Sequence, residues 1–337
     1  MSPTNRARFW IGVRVALALL GLGAVVLVVL EVGVDELSAV LVPALPWLPL
    51  ATALELLRVA MDGVSTRATL GSRGKGVPLW PLFASHLVAY AVMAVAPAGR
   101  ATAEAVKASL LSRWTGGATA AAMGTANQAN VLLSSGTFTL LSAGAAYLAT
   151  GWSVLTWALI AHFLSMNVFG LALRAAARYE RLGVWLGRRF PRVARHAAAF
   201  HSASRETALY PVKPVGAMIL GRLFQAAHFG VVATAVGISP SVIGALAVHG
   251  VYLVIAAVAV MIPGQLGASE LGFQMSADIL QTTETRAIAI ALLSHAVQIA
   301  LTAAGFVLLL LWRGPDAARE ALDPRQIDER ASAPPPE

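Results

Sequence analysis

The chain has 337 residues, 57% of them hydrophobic and only 12% charged, with a mean hydropathy of +0.70; a water-soluble domain carries about twice that share of charge, and runs of roughly 20 apolar residues mark a polytopic membrane protein instead. There is no cysteine, which excludes disulfides, thiolate metal sites and cysteine nucleophiles. The net charge of +8 is concentrated in loops, where it reports membrane orientation and anionic headgroups rather than nucleic acid.

Residues 1–8 carry Arg6 and Arg8, and a first span runs about Phe9–Leu30. No small-residue cleavage site interrupts it, so it reads as an anchor and not as a cleaved signal. Glu31, Asp35 and Glu36 follow, with no Lys or Arg until Arg58; this loop is predicted outside and the N-terminus cytoplasmic. Pro43, Pro46 and Pro49 lead into a second span, about Trp47–Leu70, which puts Glu55, Arg58 and Asp62 on one helix face. Arg67, Arg73 and Lys75 mark a cytoplasmic loop. Pro78–Val95 is apolar, residues 97–104 interrupt it, and Glu104–Arg113 is a short helix candidate with Lys107 on the Glu104 side. Thr119–Leu148 is a span made unusually polar by Asn127, Gln128 and Asn130, and Ser153–Leu173 is the next. Residues 174–213 set nine Arg and Lys against Glu180 and Glu206, which predicts a cytoplasmic basic segment lying along the membrane. Pro214–Val236 carries Arg222, Gln225 and His228. Val242–Met261 and Gly264–Ala277 flank a second interruption, Asp278 and Glu284 bound an acidic loop, and Ile288–Trp312 is the last span. Residues 313–337 are charged and end near Pro334, Pro335 and Pro336, the composition of a disordered cytoplasmic tail.

The two interruptions are the informative stretches. Pro removes a backbone donor and Gly loosens the chain, so Pro263, Gly264 and Gly267 should end or unwind a helix just before the carboxylate of Glu270. Unwound backbone survives at membrane depth only where protein or a water-filled cavity covers it. The first interruption also runs from a proline, Pro97, to a glutamate, Glu104, over seven residues. Arg58 precedes Pro97 by 39 residues and Arg222 precedes Pro263 by 41; the offset between the copies is 164 for the arginines and 166 for the prolines and glutamates. Interrupted segments at matching positions of two halves point to a transporter's binding site. Loop charges then favour six full spans with two re-entrant hairpins, Pro78–Arg113 dipping from the cytoplasm and Val242–Ala277 from outside. The predicted class is all-α: one membrane domain over 1–312, built of inverted repeats at about 47–148 and 214–312 joined by the 174–213 segment.

The chemistry rests on Arg58, Glu104, Lys107, Arg222 and Glu270, with Arg100 and His295 at the margin. Cationic side chains and opened helix N-termini suit a phosphate. The glutamates would pair with those cations in the empty site, or bind a cationic headgroup or a proton. The competing interpretation is a set of buried ion pairs that hold the bundle together. The seven histidines include no two at i, i+3 or i, i+4, so no metal is expected, and no nucleophile elbow is present. No catalytic residue and no cofactor are predicted.

These motifs resemble the membrane region of the lysylphosphatidylglycerol synthases and their stand-alone, flippase-like relatives. That family shows an Arg in its second span, matched by Arg58; a Pro-Gly-rich break leading into Gly-Glu-x-x-Arg, matched by Glu104 to Lys107 with Lys for Arg; and Pro-Gly-Gly-Leu-Gly-x-x-Glu, matched by Pro263 to Glu270 with Gln265 for the middle Gly. Ala103 replaces the Gly before the first Glu, the family's Glu-Arg pair in the following span is not evident, and an Arg of the last span is matched by His295. The resemblance covers about residues 10–312 and implies handling of membrane lipids or lipid-linked headgroups. Synthases of the family carry a soluble aminoacyl-transferase domain, and nothing in this sequence corresponds to it, so lipid aminoacylation is not expected here. The sequence therefore predicts a non-enzymatic lipid flippase of a bacterial cytoplasmic membrane, with both termini cytoplasmic and an anionic headgroup held by Arg58, Arg100, Glu104, Lys107, Arg222, Pro263, Gly264, Gly267, Glu270 and His295. The alternative is an accessory subunit that partners a separate lipid-modifying enzyme.

Overall fold

The computed structural model describes residues 23, 26–27, 29–96, 99–179, 200, 202, 204–205, 208–239, 241–260 and 262–312. Most of the first predicted span, Pro97, most of the basic segment and the 313–337 tail lie outside them. Among the described residues the chain is all-helical, with no strand. The acidic stretch read as a loop is a helix, α1, Val34–Ala44. Asp35 and Glu36 stand in its first turn, where the helix dipole favours carboxylates, and Leu37 packs on Ile288. A 3-10 turn, Leu45–Trp47, passes the chain into α2, Leu48–Leu70, which stops at Gly71 with φ +59°. Two helices of 17 residues each follow, α3, Leu79–Val95, and α4, Gly99–Thr115, separated by the first break. Then come α5, Gly117–Thr150, and α6, Val154–Arg178, whose N-cap Ser153 accepts the Thr156 N–H at 3.3 Å.

Four α-helices follow in the rest of the described chain. Helix α7, Val212–Ala235, is followed by α8, Val242–Val258, with Ser241 accepting the Gly244 N–H at 3.3 Å. The second break contains a 3-10 turn, Pro263–Gln265, then a seven-residue helix α9, Ala268–Gln274, and finally α10, Glu284–Trp312. Among the described residues five segments are long and apolar enough to cross a membrane: Val34–Gly76, α5, α6, α7 and α10. At 17 residues α3 and α8 reach only about 26 Å, short of a roughly 30 Å hydrocarbon core.

Packing follows the same exchange. Helix α2 lies along α7, α3 lies on α10, and α8 lies on α5, so the first helix of each broken pair packs on the last helix of the opposite half. Small residues set these contacts. A Cβ at Gly221 on α7 would come within 3.4 Å of the Arg58 carbonyl oxygen on α2, so the backbones cross there in direct contact. A Cβ at Gly305 on α10 would collide with the Leu87 carbonyl and meet the Ala91 Cβ at 2.7 Å on α3. Buried amide and hydroxyl groups join α2, α3, α5 and α6. Asn127 Nδ2 donates to Thr66 Oγ1 at 2.8 Å, Thr66 Oγ1 shares a hydrogen bond with His86 Nε2 at 2.8 Å, and Asn130 Nδ2 donates to Thr69 Oγ1 at 3.0 Å. Arg174 Nη2 reaches Asn130 Oδ1 at 2.8 Å. Asn127 and Asn130 thus join helices through hydrogen bonds to Thr66, Thr69 and Arg174, whereas Gln128 lines the fissure and its buried Oε1 has no hydrogen-bond partner among the described residues.

Candidate functional site

The helix ends created by the two breaks face one another. The Pro263–Gln265 turn packs on the end of α3, and a Cβ at Gly264 would lie 4.0 Å from the Ala94 carbonyl. Beside this meeting point a chamber of about 90 Å³ is lined by Glu55, Arg58, Arg100, Arg222, His295 and Gln298. It adjoins a fissure of about 380 Å³. The fissure walls are mainly apolar, including Leu132, Met166, Leu253, Val260 and Ile262, and Pro263 and Gly264 form part of its rim. Arg100 and Arg222 line both compartments, as do Tyr252, Gln265 and Gln298. A charged chamber and an oily slot therefore share one polar threshold.

The three guanidinium groups differ in their partners. Arg58 is buried, and its Nε lies 2.7 Å from Glu55 Oε1 while its Nη1 lies 2.9 Å from Asp62 Oδ2. Both carboxylates come from its own helix, at i−3 and i+4, and the Tyr90 ring stands 5.4 Å from the guanidinium carbon. Arg222 donates from Nη1 to Gln225 Oε1 at 2.7 Å. Among the described residues no carboxylate lies within 4 Å of Arg222 or Arg100. A small gap lined by Asp62, Ser134, Arg100 and Arg222 separates the Arg58 cluster from these two.

The second break builds the opposite wall. Gly264 and Gly267 have φ of +62° and +77°, conformations that glycine adopts without a Cβ clash. Gln265 also has a positive φ, 61°, at the position where the resembled motif has glycine, so this side chain is held in a sparsely populated conformation at the threshold. Glu270 is completely buried. Its Oε2 accepts the Gly267 N–H at 2.8 Å, closing the first turn of α9 onto the break. Its Oε1 faces His295 Nε2 on α10 at 3.2 Å, close enough for an ion pair though not aligned as a hydrogen bond. The other ring nitrogen of His295 lies 3.0 Å from Gln298 Oε1, which can only accept, so Nδ1 carries a proton. Glu270 thus stands one residue behind the chamber surface, with His295 between them.

Glu104 and Lys107 are placed elsewhere. Lys107 Nζ lies 2.7–2.8 Å from both Glu104 oxygens, Lys107 is only 2% exposed, and neither residue lines the chamber or the fissure. The structure therefore brings together Arg58, Arg100, Arg222, Pro263, Gly264 and His295, sets Glu270 behind them with Gly267 as its backbone partner, and leaves the Glu104–Lys107 pair outside. Sequence reasoning missed Gln298, Tyr90, Tyr252 and Gln265. Gln298 was findable, since it lies three residues after His295 on the same helix face. The two tyrosines carry no pattern that separates them from interfacial aromatics.

A family model described as the lysylphosphatidylglycerol synthase transmembrane region matches residues 9–305. No curated protein matches the chain, and no solved structure does.

Proposed function

This chain belongs to the lysylphosphatidylglycerol synthase transmembrane-region family, a multi-pass membrane family with a role in lipid handling, and from that premise we propose that it moves an anionic lipid between membrane leaflets without covalent chemistry. One observation carries the proposal: Arg100 and Arg222, with no carboxylate of the described residues within 4 Å, line both a polar chamber and the mainly apolar fissure beside it. A lipid has that shape in charge, with its phosphate for Arg100 and Arg222 and its acyl chains for the fissure. A bare charge in the bilayer centre costs roughly 2.5–3.5 kcal/mol on insertion scales, and the arginines offset this while the headgroup crosses.

The architecture that suits this activity has six full spans and two re-entrant hairpins, Pro78–Arg113 and Val242–Ala277, related as inverted repeats. The shortness of α3 and α8, the contact of the two breaks, and the exchanged packing of α3 on α10 and α8 on α5 support it. The charge pattern favours a bacterial cytoplasmic membrane, with both termini and residues 174–213 on the cytoplasmic side. In this cysteine-free chain a single cysteine at residue 190 tests that orientation; labelling from the periplasmic face refutes it. Membrane lipids are the only partners the transport reading requires, and nucleic acid is not among them. In liposomes the protein should equilibrate fluorescent phosphatidylglycerol between leaflets, and Arg222→Ala should slow it by about tenfold, the effect of losing roughly 1.4 kcal/mol. No movement above empty liposomes, with folded protein verified, moves the function to an accessory subunit of a separate lipid-modifying enzyme. The match to a synthase's membrane region favours that second reading.

A further inference from the structure

We propose that the chamber selects headgroups whose only charge is a phosphate and turns away headgroups that carry an amine, because Arg58 already sits where an amine would bind. The inference rests on the chamber being a lipid headgroup site, and it concerns which lipid that site accepts.

The strongest partner for an ammonium headgroup is a carboxylate; the ring faces of Tyr90 and Tyr252 and the glutamine oxygens of the chamber offer it only weaker contacts. Two carboxylates border the chamber and the adjoining gap, Glu55 and Asp62, and both are held by Arg58, at 2.7 and 2.9 Å. Arg58 is a tethered cation: its spacing on α2 brings it back to both acids in every molecule, at an effective concentration no free amine matches. Glu270 is withdrawn altogether. It is 0% exposed, one oxygen takes the Gly267 N–H, and the other faces His295. Glu104 grips Lys107 away from the chamber. What remains for a ligand is Arg100 and Arg222, with no carboxylate of the described chain within 4 Å of either. Along the chamber wall and the adjoining gap three guanidinium groups face two carboxylates, an excess of one positive charge, and Glu270 stands behind them against His295. A singly charged phosphate neutralises that excess. A headgroup that adds ammonium groups increases it, and like charges placed together in a desolvated site discriminate strongly.

The same geometry says how selectivity would be relaxed. Glu55 Oε2 is buried without a hydrogen-bond partner. It is the acceptor an amine would find once Arg58 were gone. Arg58 is therefore a specificity-determining residue that acts by exclusion, and Arg100 and Arg222 are the residues that attract.

The test uses the full chain in nanodiscs containing equal amounts of phosphatidylglycerol and lysylphosphatidylglycerol, with retained lipid measured by native mass spectrometry. Phosphatidylglycerol should be retained over the lysyl form by about tenfold, the size of one unfavourable charge contact of roughly 1.4 kcal/mol. Arg100→Gln should bring the ratio towards parity, and Arg58→Met should raise retention of the lysyl lipid. Arg100→Gln decides the matter by itself if Arg58→Met does not fold. Equal or preferential retention of the lysyl lipid by the unaltered protein overturns the proposal, as does a ratio unmoved by Arg100→Gln. A third arm adds inorganic phosphate: loss of all bound phosphatidylglycerol at millimolar phosphate identifies a free-anion site and also overturns it. Selective retention without movement between leaflets sinks the transport reading alone; movement of both lipids at equal rates sinks this one alone.

Discussion

The two breaks match in sequence and differ in what their glutamates do. In the first, Glu104 turns along its own helix to a buried Lys107 three residues on, and the pair closes on itself outside the chamber. In the second, Glu270 turns back to the Gly267 N–H and across to His295 on another helix, so one carboxylate ties the unwound backbone to the chamber wall. A carboxylate that begins a helix beside glycine caps that helix, whereas one with lysine at i+3 is captured by the side chain. Equal spacing from proline to glutamate therefore supplies only a position, and its neighbours decide what the carboxylate does there.

Three substitutions sharpen this contrast. The largest effect is expected at the first break. Glu104→Gln leaves the Lys107 ammonium, 2% exposed, without its counter-charge, which costs about 3–5 kcal/mol. Its melting temperature in detergent should fall sharply and recover in the Glu104→Gln, Lys107→Met double variant; a single variant as stable as the parent would show that the pair is not a strut. Next comes the glycine the breaks do not share. Gly267→Ala forces a Cβ into φ +77° and should cost about 1–3 kcal/mol, against about 0.5–1 kcal/mol for Ala101→Gly at the matching position inside α4. Equal losses in thermal unfolding would mean the two backbones are equivalent after all. The smallest stability effect is at Glu270→Gln, which keeps an acceptor for the Gly267 N–H and should change stability by about 1 kcal/mol or less. Lipid movement should nonetheless drop by about tenfold. Retained movement, or loss of folded protein, would place Glu270 with Glu104.

Much of the fold was legible because bilayer physics leaves few choices. Apolar runs located α2, α5, α6, α7 and α10, and Pro and Gly located both breaks. The cluster of Glu55, Arg58 and Asp62 was visible as spacing on one helix, and so was the nearness of Lys107 to Glu104. Helix α1 was not foreseen, because Asp35 and Glu36 read as loop charge when their role is to begin a helix. The unequal fate of the two glutamates was not legible either. Whether His295 meets Glu270 depends on how α9 docks on α10, a contact between residues 25 apart that no local period encodes. Gln298 and Gln265 are uncharged, and they became site residues only once the chamber had walls.

The backbone contact at Gly305 divides the molecule mechanically. Because a Cβ at Gly305 would collide with the Leu87 carbonyl, α10 and α3 touch backbone to backbone there, and Tyr90 and His295 are expected to move together as one block. Gly221, against the Arg58 carbonyl, couples α2 and α7 in the same way and makes Arg58 and Arg222 a second block. Arg100 follows Gly99, where a Cβ would collide with the Met93 carbonyl of α3, so the start of α4 rides with the α3 and α10 block. Spin labels in this cysteine-free chain turn that into a set of rulers. Between lipid-free and lipid-loaded protein, distances between labels on α3 and α10, or on α2 and α7, should stay fixed, while those from the start of α4 to α7 change. The stroke would then be the travel of one frame, carrying Arg100, relative to the other, which carries Arg58 and Arg222.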